Sequence, residues 1–183
     1  GCCRASNYVG FIRRALEKAG LGHIPVISLN FSGLESNEGF QLPLQLMLAA
    51  AKAVVYGDLL MRCLYRVRPY ELEPGSADAL HRVWRDQCID SLVNPKTKHT
   101  YAALCRGIVE AFDTLPIRED VVKPRVGIVG EILVKYMPLA NNYIVDLLER
   151  EGAEAVVPDL MDFFNYSFYN NKFRRENYRT SRK

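Results

Sequence analysis

Near its C-terminal end the chain reads RVGIVGE (125–131), PLANNYIVDLLEREG (138–152) and AEAVVPD (153–159). The first and last pieces are short, β-branched apolar runs, and the middle one is an amphipathic helix closed by glycine. Strand, helix and strand over so short a span form a βαβ unit. Such a unit needs parallel strands and a right-handed crossover. Parallel sheets are covered on both faces, so the expected class is α/β.

A second half-unit stands at the other end. Residues 6–19 have helical spacing in Val9, Ile12 and Leu16, with Ser6 as N-cap and Gly20 and Gly22 as stops. HIPVISLN (23–30) follows as a buried strand. The resulting expectation is a three-layer, Rossmann-like domain whose parallel sheet contains 23–29, 125–130 and 153–158. Helical patterns at 43–66, 76–93 and 98–113 form an insertion between the two α/β parts. The helix at 43–66 is apolar around much of its circumference, which predicts burial on two sides. The domain plan is therefore one α/β piece over 1–183. It comprises a first αβ piece (1–42), the helical insertion (43–122), the βαβ unit (123–169) and a basic tail (170–183). GCCRASN at the start reads as a turn between an absent strand and the first helix, so the expected object is a domain excised from a larger protein.

Composition narrows the partners. The 183 residues carry a net charge of +3. Residues 170–183 hold six Lys or Arg against one Glu, a balance of +5, which leaves the body at about −2. The basic character belongs to the tail, so no nucleic-acid-binding domain is expected. No uncharged apolar run reaches membrane-spanning length, and no membrane partner is expected. Five cysteines at irregular spacing make a poor disulfide framework and suit a reducing cytoplasm. Cys63, Cys88 and Cys105 fall within apolar helices and read as packing residues.

Two places carry candidate chemistry. Cys3 and Arg4 precede a helix start, where the helix dipole and the guanidinium favour a thiolate. That thiolate could ligate an iron–sulfur centre with further ligands from elsewhere, or be an ordinary exposed thiol. Gly130 and Glu131 follow the strand at 125–130, where ligands bind in open α/β sheets. Lys135, Pro138, Asn141 and Asn142 complete that loop and the next helix start, a setting for a polar or anionic ligand. The same carboxylate and amides could instead fix the loop. GIVGE lacks the glycines of a dinucleotide turn, and no Walker-type loop occurs. No ATP hydrolysis is expected.

CRASNYVGFIRRAL, YGDLLMRCLYRVRPYE and KPRVGIVGEILVKYMPLANNYIVDLLEREGAEAVVPDLMDFF together resemble the acyl-CoA dehydratase activase-related proteins. These are large proteins associated with 2-hydroxyglutaryl-CoA dehydratase and its activator. The resemblance spans nearly the whole chain and implies the dehydratase-like region, not the ATPase. It implies an anaerobic system in which an actin-like ATPase domain drives a low-potential electron toward acyl-CoA dehydration. The family's cysteine–arginine pair falls on Cys3 and Arg4, making Cys3 a metal ligand. Its Gly-Glu loop falls on Gly130, Glu131, Pro138, Asn141 and Asn142. The implied cofactor is an iron–sulfur cluster in the intact parent, with none in the isolated fragment. The implied partners are the remaining parent domains and a possible acyl-CoA substrate. A non-catalytic α/β ligand-binding or docking domain is the alternative.

Overall fold

The computed structural model describes residues 7–26, 43–94 and 96–178, without the side chains of Ser167 and Asn171. The chain divides into two compact units, Gly1–Pro43 and Leu44–Lys183. In the first, α1 (Tyr8–Lys18) is amphipathic, yet none of its residues is buried. Gly20, at φ +73°, turns the chain out of the helix. The expected N-cap Ser6 lies outside the described residues.

The second unit is built on three helices, α2 (Leu44–Val67), α3 (Ser76–Val93) and α4 (Tyr101–Asp113). The starts of α3 and α4 and their close approach have local causes. Gly75 N–H, Ala77 N–H and the Ser76 hydroxyl all donate to the Glu71 carboxylate, at 2.7, 2.8 and 3.2 Å, which caps α3 from outside the helix. Thr100 Oγ1 caps α4 by accepting from Ala103 N–H at 3.3 Å. Gly107 lets α4 approach the Trp84 ring on α3, because a Cβ there would lie 2.4 Å from the ring edge.

Tyr56, Leu60 and Leu64 of α2 meet Ala77 and Cys88 of α3 and Leu104, Ile108 and Phe112 of α4 in one buried cluster. Cys88 is in that core, and burial pushes its thiol up to about 11. Cys63 and Cys105 are half-buried against it. By length and composition α2 could cross a membrane, but its Tyr56–Leu60–Leu64 stripe is the bundle's centre.

The three-layer Rossmann-like sheet is overturned. The described part of the chain is mostly helical, and its only sheet is a pair of three-residue strands, β1 (Arg125–Gly127) and β2 (Glu154–Val156). The pair is parallel, with Val126 opposite Ala155. Its strands are short because Gly130 turns the chain after β1 and Pro158 stops the ladder after β2, both at the same, C-terminal end of the parallel pair. His23–Val26 form turn and irregular backbone, and the rest of the expected strand at 23–29 lies outside the described residues. The helical segment expected as an insertion is the larger packed body.

The crossover also differs. Residues 132–136 form a short helix, α5 (Ile132–Tyr136), which the pattern did not announce. The next helix, α6 (Ile144–Arg150), starts six residues later than the apolar period implied. Asn142 and Tyr143 stand at φ +56° and +54°, outside the right-handed helical region. The last helix, α7 (Leu160–Tyr178), continues into what read as a separate basic tail.

Candidate functional site

The expected ligand loop does sit after β1, at the C-terminal end of the parallel pair. Its polar groups are turned to other work. Glu131 is the N-cap of α5, its carboxylate accepting from Val134 N–H at 3.1 Å. Asn141 donates through Nδ2 to the carbonyls of Val134 and Lys135 at 3.0 and 3.1 Å, and accepts from Ile144 N–H at 3.3 Å. It thereby ties the end of α5 to the start of α6. The Pro138 carbonyl accepts from Tyr143 N–H at 2.9 Å. Lys135 Nζ lies 4.4 Å from the centre of the Tyr136 ring, a cation–π distance. Asn142 and Gly130 are exposed. The Tyr136 hydroxyl donates to the Pro158 carbonyl and bridges the two loops that leave the strands.

What faces outward from the same segment is apolar. Val129 is 81% exposed and Leu139 75%, with Leu133, Val134 and Met137 also exposed. The structure brings Gly130, Glu131, Lys135, Pro138, Asn141 and Asn142 into one loop–helix segment, in which Glu131 and Asn141 brace backbone. The α7 helix start is also occupied. Asp58 of α2 accepts from Leu160 N–H and Met161 N–H, each at 2.8 Å. Cys3 and Arg4 lie outside the described residues.

Sequence reasoning missed a network of charges between α2 and the βαβ unit. Along α2, Tyr56, Leu60 and Leu64 share one face, each four residues on. Asp58, Arg62 and Arg66 keep the same spacing two residues on, about 200° around the helix. One stripe feeds the core and the other meets β2 and α7.

Glu154 is the hub. It is 2% exposed, in the middle of a sequence otherwise read as an apolar strand. Arg66 Nη1 reaches both of its oxygens at 2.8 Å, Tyr70 OH donates to one at 2.8 Å, and Arg125 Nε reaches the other at 3.0 Å. Burial works to raise its pKa, but the bonds from Arg66 and Tyr70 outweigh it and hold the carboxyl below its ordinary range.

Beside it, Arg68 in a 3-10 turn (Arg68–Tyr70) binds Glu149 through Nε and Nη2 at 2.7 and 3.0 Å. The same guanidinium meets Asp78 at 3.1 Å and Asp146 at 3.5 Å. Arg62 pairs with one oxygen of Asp159 at 2.9 Å, while the other oxygen is buried without a hydrogen-bond partner. Burial raises the pKa of both Glu149 and Asp159 despite these arginines. The available signal was a lone Glu inside a parallel strand: an ionised group there demands a partner.

Comparison with known protein families, curated proteins and solved structures gave no match.

Proposed function

We propose that this chain is a docking domain of an iron–sulfur dehydratase-type protein, and that its loop face binds a neighbouring protein domain. The observation that carries the docking reading is the inversion of the 129–142 segment. Its carboxylate and one of its amides cap and brace backbone, while Val129, Leu133, Val134, Met137 and Leu139 face out. An apolar face of this kind beside a strand exposed along its whole length is stabilised by being covered.

The occupant we propose is another domain of the parent polypeptide. The sequence resemblance supports that choice, since it implies further domains that include an actin-like ATPase. Comparing amide exchange of this chain with that of the longer polypeptide tests it. Residues 129–139 should gain protection in the longer protein and lose it on joint Val129→Asp and Leu139→Asp substitution. Equal exchange in the two wild-type proteins would overturn the docking reading.

The redox setting, with acyl-CoA as possible substrate, is proposed from the resemblance alone. Among the described residues no group of three or more His, Cys, Asp or Glu could hold a metal. Cys63 and Cys88, with pKa values raised by burial, are packing thiols. Cys3 remains the one proposed ligand, with Arg4 beside it. In the anaerobically prepared parent, Cys3→Ser should lower bound iron, and unchanged iron content would remove that assignment.

A further inference from the structure

We infer that the βαβ unit is a flap latched onto the helical bundle by the α2 charge stripe, able to open while the bundle stays folded. Three independent observations carry this. The first is where the core ends. The buried cluster and the side chains packed on it run from Tyr56 to Leu115, and none comes from β1, β2 or the helices around them. Ala153, Ala155 and Val157 of the flap are buried outside that cluster, where β2 lies against α2, α6 and β1.

The second observation is the chemistry of the seam. Four carboxylates of the flap side, Asp146, Glu149, Glu154 and Asp159, meet Arg62, Arg66 and Arg68. Asp58 adds the two bonds to the start of α7, and Tyr70 adds its hydroxyl to Glu154. The Arg62 and Arg66 side chains are 70% and 61% exposed, so solvent and salt reach the stripe from outside.

The third is the connection. Leu72 N–H bonds to the Pro116 carbonyl at 3.2 Å and Arg118 N–H to the Tyr70 carbonyl at 2.8 Å, which fastens the linker to the bundle as far as Arg118. From there 119–124 run without helix or strand to β1, and all but two of them are exposed. Within that stretch only the Lys123 N–H, 3.4 Å from the Tyr70 hydroxyl, ties back to the bundle by a hydrogen bond among the described residues. One short tether and the seam along α2, on which β2 and α7 also pack, therefore join the flap to the bundle within one compact unit.

A seam of paired, part-buried charges is a good latch because its cost of breaking is concentrated. Removing the Glu154 carboxylate takes away at once the charged acceptor shared by Arg66, Arg125 and Tyr70. The flap carries the Val129–Leu139 face, so, on the docking reading above, release of the latch would move that face and leave the bundle in place.

Amide exchange of the full chain, with no partner present, tests the latch separately from docking. Glu154→Gln should speed exchange across 125–157 by on the order of a hundredfold. Peptides covering 56–64 and 104–112 should stay at the wild-type rate. In the wild-type chain, raising salt from about 0.1 to about 1 M shortens the screening length from roughly 10 to 3 Å. That change should accelerate the flap alone, and it decides the matter if Glu154→Gln does not fold. Acceleration of flap and bundle together would overturn the latch, and so would a flap that responds to neither change.

Discussion

The bundle and the βαβ unit of this chain solve the problem of burial in opposite ways. The bundle closes around a contiguous apolar cluster of Tyr56, Leu60, Leu64, Leu104, Ile108 and Phe112. The βαβ unit buries two alanines, a valine and a glutamate, and leaves β1 exposed over all three of its residues. Both are joined to α2, by different faces of the same helix. The difference teaches that one amphipathic helix can serve a core and a polar seam when two stripes of period four lie about 200° apart. The two parts should then respond to different perturbations: the bundle to lost volume, the βαβ unit to lost charge.

The largest effect should come from the bundle. Phe112 is 2% exposed and among the largest fully buried side chains. Phe112→Ala should cost about 3–5 kcal/mol, read from the midpoint of a chemical denaturation monitored by helix content. The loss should reach the whole second unit, because the flap has too little core of its own to survive without the bundle. A loss below about 1 kcal/mol would mean that the cluster does not hold the fold.

This contrast also explains what could be read from sequence. The helices α2, α3 and α4 were legible because their apolar residues repeat at helical spacing, a signal that survives without knowledge of neighbours. The parallel pairing of β1 and β2 was legible for a related reason, since a strand–helix–strand run has few other solutions. The three-layer sheet was not warranted. Buried runs such as GIV and AVV show that a segment is apolar, but not how many residues find a partner strand. Here Gly130 and Pro158 cut each strand to three. At the candidate site, Glu131 and Asn141 were singled out as a carboxylate after a strand and an amide at a helix start. Their bonds to Val134, Lys135 and Ile144 could not be foreseen, because side chain–backbone capping and ligand binding select the same residue types. The Arg68–Glu149 and Arg66–Glu154 pairs join residues more than eighty positions apart, beyond any local pattern.

An intermediate effect should appear in the pH response of the flap. The folded-state pKa of Glu154 is depressed, so its contribution is complete above the ordinary glutamate value of about 4.3 and is lost as pH falls through the lower folded value. Glu149 and Asp159 are shifted upward, so they run the other way: each favours the folded flap more as pH falls through its raised value. In the wild-type chain the two slopes oppose each other. In Glu154→Gln only the second remains, and flap protection measured by amide exchange should rise on mild acidification. A fall in the variant's protection over that range would show that these carboxylates do not govern the seam.

The smallest effect belongs to Glu131, and it separates the two readings of the loop most directly. Its carboxylate accepts one bond, from Val134 N–H, at the start of a helix of only five residues. Its side chain is only partly buried, so little desolvation is at stake. Glu131→Ala should therefore cost about 0.5–1 kcal/mol, the low end of the usual range for losing an N-cap. The loss should be confined to exchange within 131–144, because Asn141 links α5 to the start of α6 and transmits no further. Glu131→Asp, which keeps a good capping carboxylate, should restore most of it. A capping role predicts this rescue whatever the loop face touches. A carboxylate held for a ligand would leave exchange unchanged in Glu131→Ala, and that result would return Glu131 to the list of binding residues.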